Sequence, residues 1–490
     1  MKTLKGILQS KDMRQNDHRD DDMESPSAEP LSKKRVSGGK DGAEMQERPA
    51  GGHVPEVDEK EALLGGGGDW QSDASPATPG SLPAMMDGVP RVFRASWPSV
   101  LDQFMYTLRP ALDVWCWFAF FLCFIYGPEH PLLYVLRGNK LVLFWAPFLY
   151  RLFTGFIHFL LSLAVIPGPV LYNEGAIRRF YPKWLLDTTE ENFMYREMSR
   201  PRLHAAGGTT LQLVTPDGVT LDAMFWRGAS ASFSDPVVIR FNGNAEAFEL
   251  HDETLPCAYT SQGLNFIMFN YRGVGRSKFP KVGDNELMGQ LLGLIRMPAK
   301  EGTALDAWTV LEYVVKELRV KPEHVVLLGH SIGGAVAVDV AARHPEFKVA
   351  HCNSRSFANL SGVAVEIAPA FLGINPASKK ATYLKHITRG LFIASGWNFD
   401  SAAAWRKVHG FKWVEYSGLD HIIPYNLSLH ASLKRTEMGM EGEPNLKVVA
   451  LIDIPQIDNH NRMLFEPELM MHLEMVLEAV GALPERELEA

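Results

Sequence analysis

The chain has 490 residues, of which 46% are hydrophobic and 22% charged, and its formal net charge is −8. That length accommodates one large domain with appendages or roughly two to three ordinary ones, and the acidic balance excludes a strongly basic nucleic-acid binder. Cys116, Cys123, Cys257 and Cys352 are too scattered to frame disulfides or a cysteine-based zinc site.

Residues 1–90 carry 11 Lys/Arg against 17 Asp/Glu, contain no Phe or Tyr, and have Ile7 and Trp70 as their sole Ile and Trp. Such a segment buries too little apolar surface to offset the entropy of ordering it, and it reads as a disordered tail. Its start, "MKTLKGILQSKDMRQN", is basic but lacks the following apolar run of a secretory signal.

The composition then reverses, and residues 91–180 read as an apolar helical region. "VWCWFAFFLCFIY" (114–126) and "LVLFWAPFLY" (141–150) precede "LFTGFIHFLLSLAVIPGPVLY" (152–172), which is 21 residues without a formal charge. As a helix the last would cover about 30 Å, but Pro167 and Pro169 are expected to end it near Ile166 and shorten it to about 22 Å. Two readings stand. A membrane-embedded or re-entrant hairpin is preferred, because Arg137, Lys140, Arg151, Arg178 and Arg179 flank the apolar segments. Helices packed on the following domain are the alternative.

From about Gly207 the pattern is that of strands and helices. "LQLVTPDGVTLDAMFW" (211–226) predicts a hairpin around Pro216-Asp217-Gly218. Short apolar runs follow at 237–241, 266–270, 325–329, 349–353, 390–395, 412–417 and 447–454, mostly separated by helical stretches, and a last helix is expected at 467–480. The pattern predicts an α/β fold: a mostly parallel sheet with an opening β-hairpin and helices on both faces, in a domain spanning 207–490.

In such a sheet, reactive groups gather at the carboxyl ends of the strands. After "VVLLG", Ser331 sits in Gly329-His330-Ser331-Ile332-Gly333. A chain of this length holds on the order of 0.2 random Gly-x-Ser-x-Gly matches, so the pentapeptide alone is weak. Its context is stronger. A strand precedes it and a helix follows, Gly329 and Gly333 relieve the crowding of a sharp turn, and Gly334 and Ala335 let the helix approach the sheet. The Ile332 N–H at the helix start can face an oxyanion, and Asn244, in "NGNAEAF" after the third strand, is the candidate second donor. "YRGVGRS" (271–277), with Tyr271 and Arg272, reads as a structural turn beside the site.

A serine hydroxyl needs a histidine base oriented by a carboxylate. His460 lies between the last strand and the final helix. Two strand ends offer an acid: Asp420 in an Asp-x-x-Ile-Pro turn, and Asp400 at a helix start, where it could simply be an N-cap. Asp420 with His460 is the preferred pair. Asp400 with His421 is the alternative.

The "GHSIGG" elbow, the "NGNAE" loop, "NYRGVGRS", the Asp-x-x-Ile-Pro turn and "HN" before a terminal helix, in that order, resemble the alpha/beta-hydrolase superfamily. The chain is similar in particular to its esterase-like and thioesterase-like members, and more loosely to the hydrolase-like family typified by Chlamydia proteins. The resemblance covers about 207–480 and implies an eight-stranded fold with a Ser331, Asp420, His460 triad. Asn242 stands where a His is more usual.

The function expected is a serine hydrolase, cleaving an ester or thioester of a lipid-like or other acyl substrate. It would be membrane-associated, with its catalytic domain in the cytoplasm. No His-Glu-x-x-His, Walker or dinucleotide pattern appears, so neither a metal nor an organic cofactor is expected. Glu286–Met297, with apolar residues at helical spacing, could form a lid over a lipophilic pocket or pack as a surface helix. The rival class is a membrane-tethered, catalytically silent hydrolase fold that binds or scaffolds.

Overall fold

The computed structural model of the chain describes residues 85–86, 89–104, 160–161, 165, 168–290, 299–437 and 447–482. The apolar segments at 114–126 and 141–150 and most of 152–172 lie outside these residues, as do most of the tail and residues 291–297 of the run read as a lid or a packed surface helix. Among the described residues no helix is long and apolar enough to cross a membrane.

The architecture is an alpha/beta-hydrolase fold built on a nine-stranded sheet. Its strands are β1 (Val92–Arg94), β2 (Thr209–Val214), β3 (Thr220–Trp226), β4 (Val237–Phe241), β5 (Asn265–Phe269), β6 (Val325–His330), β7 (Ala350–Ser354), β8 (Lys412–Tyr416) and β9 (Lys447–Ala450). They lie in the order β9-β8-β7-β6-β4-β5-β3-β2-β1. Only β3 runs against the rest: it pairs antiparallel with β2 and with β5, while the other pairings are parallel.

The alternation of strand side chains makes two cores. Val237, Ile239 and Phe241 of β4, with Val325 and Leu327 of β6, join the core on one face. Val238, Val326 and Leu328 join that on the other. The helices α3 (Ala299–Lys316) and α4 (Ile332–Arg343) cover the first face. The second is covered by Leu203 of α1 (Lys183–Ala205), Tyr259 of α2 (Thr254–Thr260), and Leu473 and Val476 of α8 (Glu466–Ala479).

Two features differ from the sequence expectation. The run at 390–395 is not a strand but the end of α6 (Lys379–Ala394). A short apolar run fits either period, and here Ala381, Leu384, Thr388 and Phe392 turn inward at spacings of three and four. The second is β1, which extends the sheet beyond the boundary at 207 into a stretch read as helical. Three residues are too few to signal a strand, and tertiary contacts hold them: Trp308 Nε1 donates to Ser96 O at 2.9 Å, and Tyr313 Oη donates to Pro90 O at 3.0 Å.

Under the second face lies a buried polar chain. Tyr259 Oη and His472 Nε2 are 2.8 Å apart, and His472 Nδ1 bonds Glu415 of β8, which also accepts from Trp413 Nε1 at 3.2 Å. Burial by itself would raise the Glu415 carboxyl, but His472 and the bonds from His472, Ser354 and Trp413 outweigh it and hold it at about 2, against 4.5 ordinarily. A carboxyl depressed on folding contributes stability that is complete above its unfolded value and is lost as pH falls through 4.5 towards 2. Glu415→Gln is therefore expected to flatten the acid limb of the stability curve in that window, and to cost about 1–3 kcal/mol at neutral pH by taking the charged acceptor from a buried hydrogen-bond network. Urea unfolding as a function of pH reads both effects, and an acid limb identical to wild type would refute the assignment.

Candidate active site

Ser331 follows β6 at the point where the chain turns sharply into α4. Its backbone is at φ +54°, ψ −124°, outside the regions a non-glycine residue ordinarily occupies, and the residue is buried. Its neighbours make this turn possible. A Cβ on Gly329 would stand 2.4 Å from Gly334 Cα, and one on Gly333 would stand 2.3 Å from Phe241 O and 2.6 Å from Asn242 O. Backbone atoms of β4 and its loop cannot yield as a side-chain tip can. Gly333→Ala is expected to push α4 off the end of β4, costing about 1–3 kcal/mol and displacing Ser331. Thermal unfolding and active-site labelling check the two effects together.

The structure brings three of the expected residues into one chain of bonds. Ser331 Oγ is 3.0 Å from His460 Nε2, and His460 Nδ1 is 2.7 Å from Asp420 Oδ2. Asp420 Oδ1 accepts from the N–H groups of Ile422 and Ile423 at 2.9 and 2.8 Å, so the carboxylate is fixed by its own turn. Both His460 and Asp420 are buried.

Asp400 and His421 are not part of this arrangement. Asp400 is exposed and caps α7 (Ser401–Trp405), accepting from Ala403 N at 2.9 Å. With 390–395 helical, Asp400 does not follow a strand at all. His421 points outward, its side chain 58% exposed and its Nδ1 3.8 Å from Asp458 Oδ1.

Ile332 is the first residue of α4, a position whose N–H has no acceptor within the helix and which lies at its positive end. Asn244 is exposed in the turn after β4. That turn is held firmly. Gly243 N donates to the Glu246 carboxylate, and Tyr172 Oη donates to Ala245 O at 2.8 Å, with Ala245 itself at φ +56°. Asn242 Nδ2 donates to Phe269 O at 3.0 Å, tying the ends of β4 and β5 together. Below the turn, Arg200 of α1 bonds both Asp222 and Glu249, all three buried.

Arg355, Asp453 and Tyr172 hold the loops around these residues and did not stand out in the sequence. Arg355, directly after β7, donates through Nη1 to Arg462 O at 2.7 Å and to Asn459 O at 3.4 Å, and so grips the His460 loop on both sides. Burial pulls its guanidinium down to about 10, with Glu415 opposing. Asp453 accepts from Gly418 N at 3.0 Å and Leu419 N at 3.1 Å, which steadies the approach to Asp420. The one available signal was a charged residue just beyond each strand end. His330, its ring 5.0 Å from that of His460, is held well below its ordinary pKa by burial and then by Arg355, so it stays neutral beside His460.

Arg272 is enclosed by carboxylates. Its Nη1 donates to Asp217 Oδ2 at 2.9 Å and its Nη2 to Asp306 Oδ1 at 2.8 Å. Tyr271 Oη donates to Asn242 O at 3.2 Å.

Among the described residues, Cys352, Glu415 and His472 bring ligand atoms within 4.8 Å of one another. Both His472 nitrogens are already engaged, and burial drives the Cys352 thiol well above its ordinary pKa. This set suits a protonated hydrogen-bond network better than a cation.

Residues 236–373, which hold β4, its loop and the Ser331 elbow, match the family described as the alpha/beta hydrolase fold. An uncharacterized Caenorhabditis elegans protein is 27% identical over 220 residues, 41% of this chain and 40% of that protein. Protein bem46 of Schizosaccharomyces pombe is 26% identical over 162 residues, 32% of this chain and 48% of its own. The chain thus spans less than half the length of these curated relatives. Of the solved structures, an esterase of Pyrococcus furiosus superposes with a TM-score of 0.39 at 15% identity, covering 56% of this chain and 92% of its own. By its sheet order with one reversed strand, its strained serine elbow and the matched segment, the chain has the alpha/beta-hydrolase fold.

Proposed function

We propose that the chain is a serine hydrolase that cleaves an ester or thioester bond of a lipid-like acyl substrate. The observation that carries this reading is the continuous chain of bonds from Ser331 Oγ through His460 to the Asp420 carboxylate.

In this mechanism Asp420 accepts from His460 Nδ1–H, which leaves Nε2 unprotonated and facing Ser331. Ser331 Oγ attacks the carbonyl carbon as its proton passes to Nε2. The N–H groups of Ile332 and Asn244 receive the oxyanion. Collapse of the tetrahedral intermediate expels the alcohol or thiol, which takes the proton from Nε2. Water, deprotonated by the same nitrogen, then releases the acid and restores Ser331.

The lipid-like substrate and a membrane association rest on the apolar segments between residues 114 and 172 and on the run at 286–297. Carbonate extraction of membranes tests the association, and hydrolysis of a panel of lipid esters and acyl thioesters tests the substrate class. For the chemistry itself, a fluorophosphonate probe is expected to label the wild-type protein and to fail on Ser331→Ala. A wild-type protein that does not react would overturn the enzymatic reading and favour a silent, ligand-binding hydrolase fold.

A further inference from the structure

Between β7 and β8 the chain makes a helical excursion: α5 (Leu360–Phe371), α6 and the short α7. It leaves from the carboxyl end of β7, the end of the sheet at which Ser331 lies. Its neck is closed where Leu360 N donates to Phe399 O at 2.9 Å and Asn359 bridges Asp400. Leu360, Val363, Phe392, Trp397 and Phe399 seat it on the main core.

Its outer side has a different character. Ile367, Leu372, Tyr383 and Ile387 are 41%, 58%, 72% and 59% exposed. In α6, Lys379, Lys380, Tyr383, His386, Ile387 and Arg389 are all exposed, opposite the inward-facing Ala381 and Phe392. Charge is also concentrated here. Residues 367–399 hold Lys379, Lys380, Lys385 and Arg389 and no Asp or Glu, in a chain whose overall balance is acidic. Of these four, Lys385 is paired with Glu366 at 2.8 Å.

We infer that the outer face of α5 and α6 seats the domain on an anionic phospholipid surface. Leu372, Tyr383 and Ile387 enter the headgroup boundary, and Lys379, Lys380 and Arg389 meet the phosphates. A helix pair that interleaves bulky apolar side chains with basic ones, and whose one carboxylate, Glu366, is held by Lys385, has the composition of an interfacial helix. A positive patch on an acidic chain is complementary to an anionic surface. Docking in this way would turn the rim that bears Ser331 towards the lipid. The inference concerns binding alone and stands or falls independently of the chemistry at Ser331.

Flotation of the full-length protein with two kinds of vesicle tests it, one of phosphatidylcholine and one containing roughly one-third phosphatidylglycerol. The wild-type protein is expected to bind the anionic vesicles more strongly, and the preference should shrink as salt is added. The triple variant Lys379→Gln, Lys380→Gln, Arg389→Gln should lose about 100-fold in affinity for the anionic vesicles and bind both kinds alike. Tyr383→Ser with Ile387→Ser should weaken binding to both. These exposed changes should leave the unfolding temperature near that of the wild type, which separates lost docking from lost folding. Any hold of the apolar segments at 114–172 and their flanking basic residues on lipid is common to the wild type and the triple variant and cancels when the two proteins are compared on the same vesicles. A triple variant that keeps the wild-type preference overturns the inference. So does a wild-type protein that shows no preference but is captured by immobilised polyglutamate through the same three residues, a result that would assign the face to an acidic protein.

Discussion

Asp420→Asn is expected to lower turnover on an activated ester by about four orders of magnitude, the scale seen when the carboxylate of a serine-protease triad is made an amide. The geometry gives the reason. Asp420 Oδ1 is already held by two backbone N–H donors, from Ile422 and Ile423, while Oδ2 faces His460 Nδ1. An amide at this position would keep its oxygen on the two donors and present its NH2 group to the imidazole. Nδ1 would then become the acceptor, Nε2 would carry the proton, and Ser331 would face a nitrogen unable to take its hydrogen. Folding should hardly change, because the turn keeps both of its bonds. Asp400→Asn is the internal control. Its carboxylate caps a five-residue helix at the surface, and Asn is as good an N-cap as Asp, so turnover should remain within about two-fold. If Asp400→Asn were the damaging change and Asp420→Asn the silent one, the assignment of the acid would be wrong.

The second large effect is on stability. Arg272→Gln should cost about 3–5 kcal/mol, because it leaves the carboxylates of Asp217 and Asp306 without a counter-charge in the interior. The side chains of both are 0% exposed and that of Arg272 is 7% exposed. The pairing already sets their titration: burial raises the Asp306 carboxyl, while the Arg272 charge brings that of Asp217 below its usual range. The three residues come from the β2–β3 turn, the segment after β5, and α3, so this one guanidinium joins three separate stretches of chain. Replacing all three together, with Met at 272 and Asn at 217 and 306, should recover most of the loss, since no buried charge is left unpaired. Urea unfolding measures both. A fully stable Arg272→Gln protein with a raised KM would instead place this residue against the substrate.

The fold class was legible in the sequence, and a candidate reactive centre was marked there, because both depend on local chemistry repeated at a recognisable spacing. Buried parallel strands must be apolar, so β4, β5, β6 and β7 each appear as a short run with its helix behind. The elbow needs glycine on both sides of Ser331, since a Cβ at either position would strike backbone. His460 was marked by its place between the last strand and the last helix.

Which of the two carboxylates lies beside His460 was visible in the fold alone. Whether Leu391 and Phe392 belong to a strand or a helix is not a property of six apolar residues; it depends on what packs against them. Packing made them helical, and Asp400 then stands as the cap of the next short helix. The edge strand β1 was hidden for a similar reason. Val92–Arg94 is extended because β2 offers it a free edge and α3 holds the residues on either side. Arg355 and Asp453 lie 105 and 7 residues from His460 along the chain, and their work of holding the His460 and Asp420 loops exists only once the strands are side by side. Local pattern records what a residue can do, and long-range contact decides which of several equally capable residues is placed to do it.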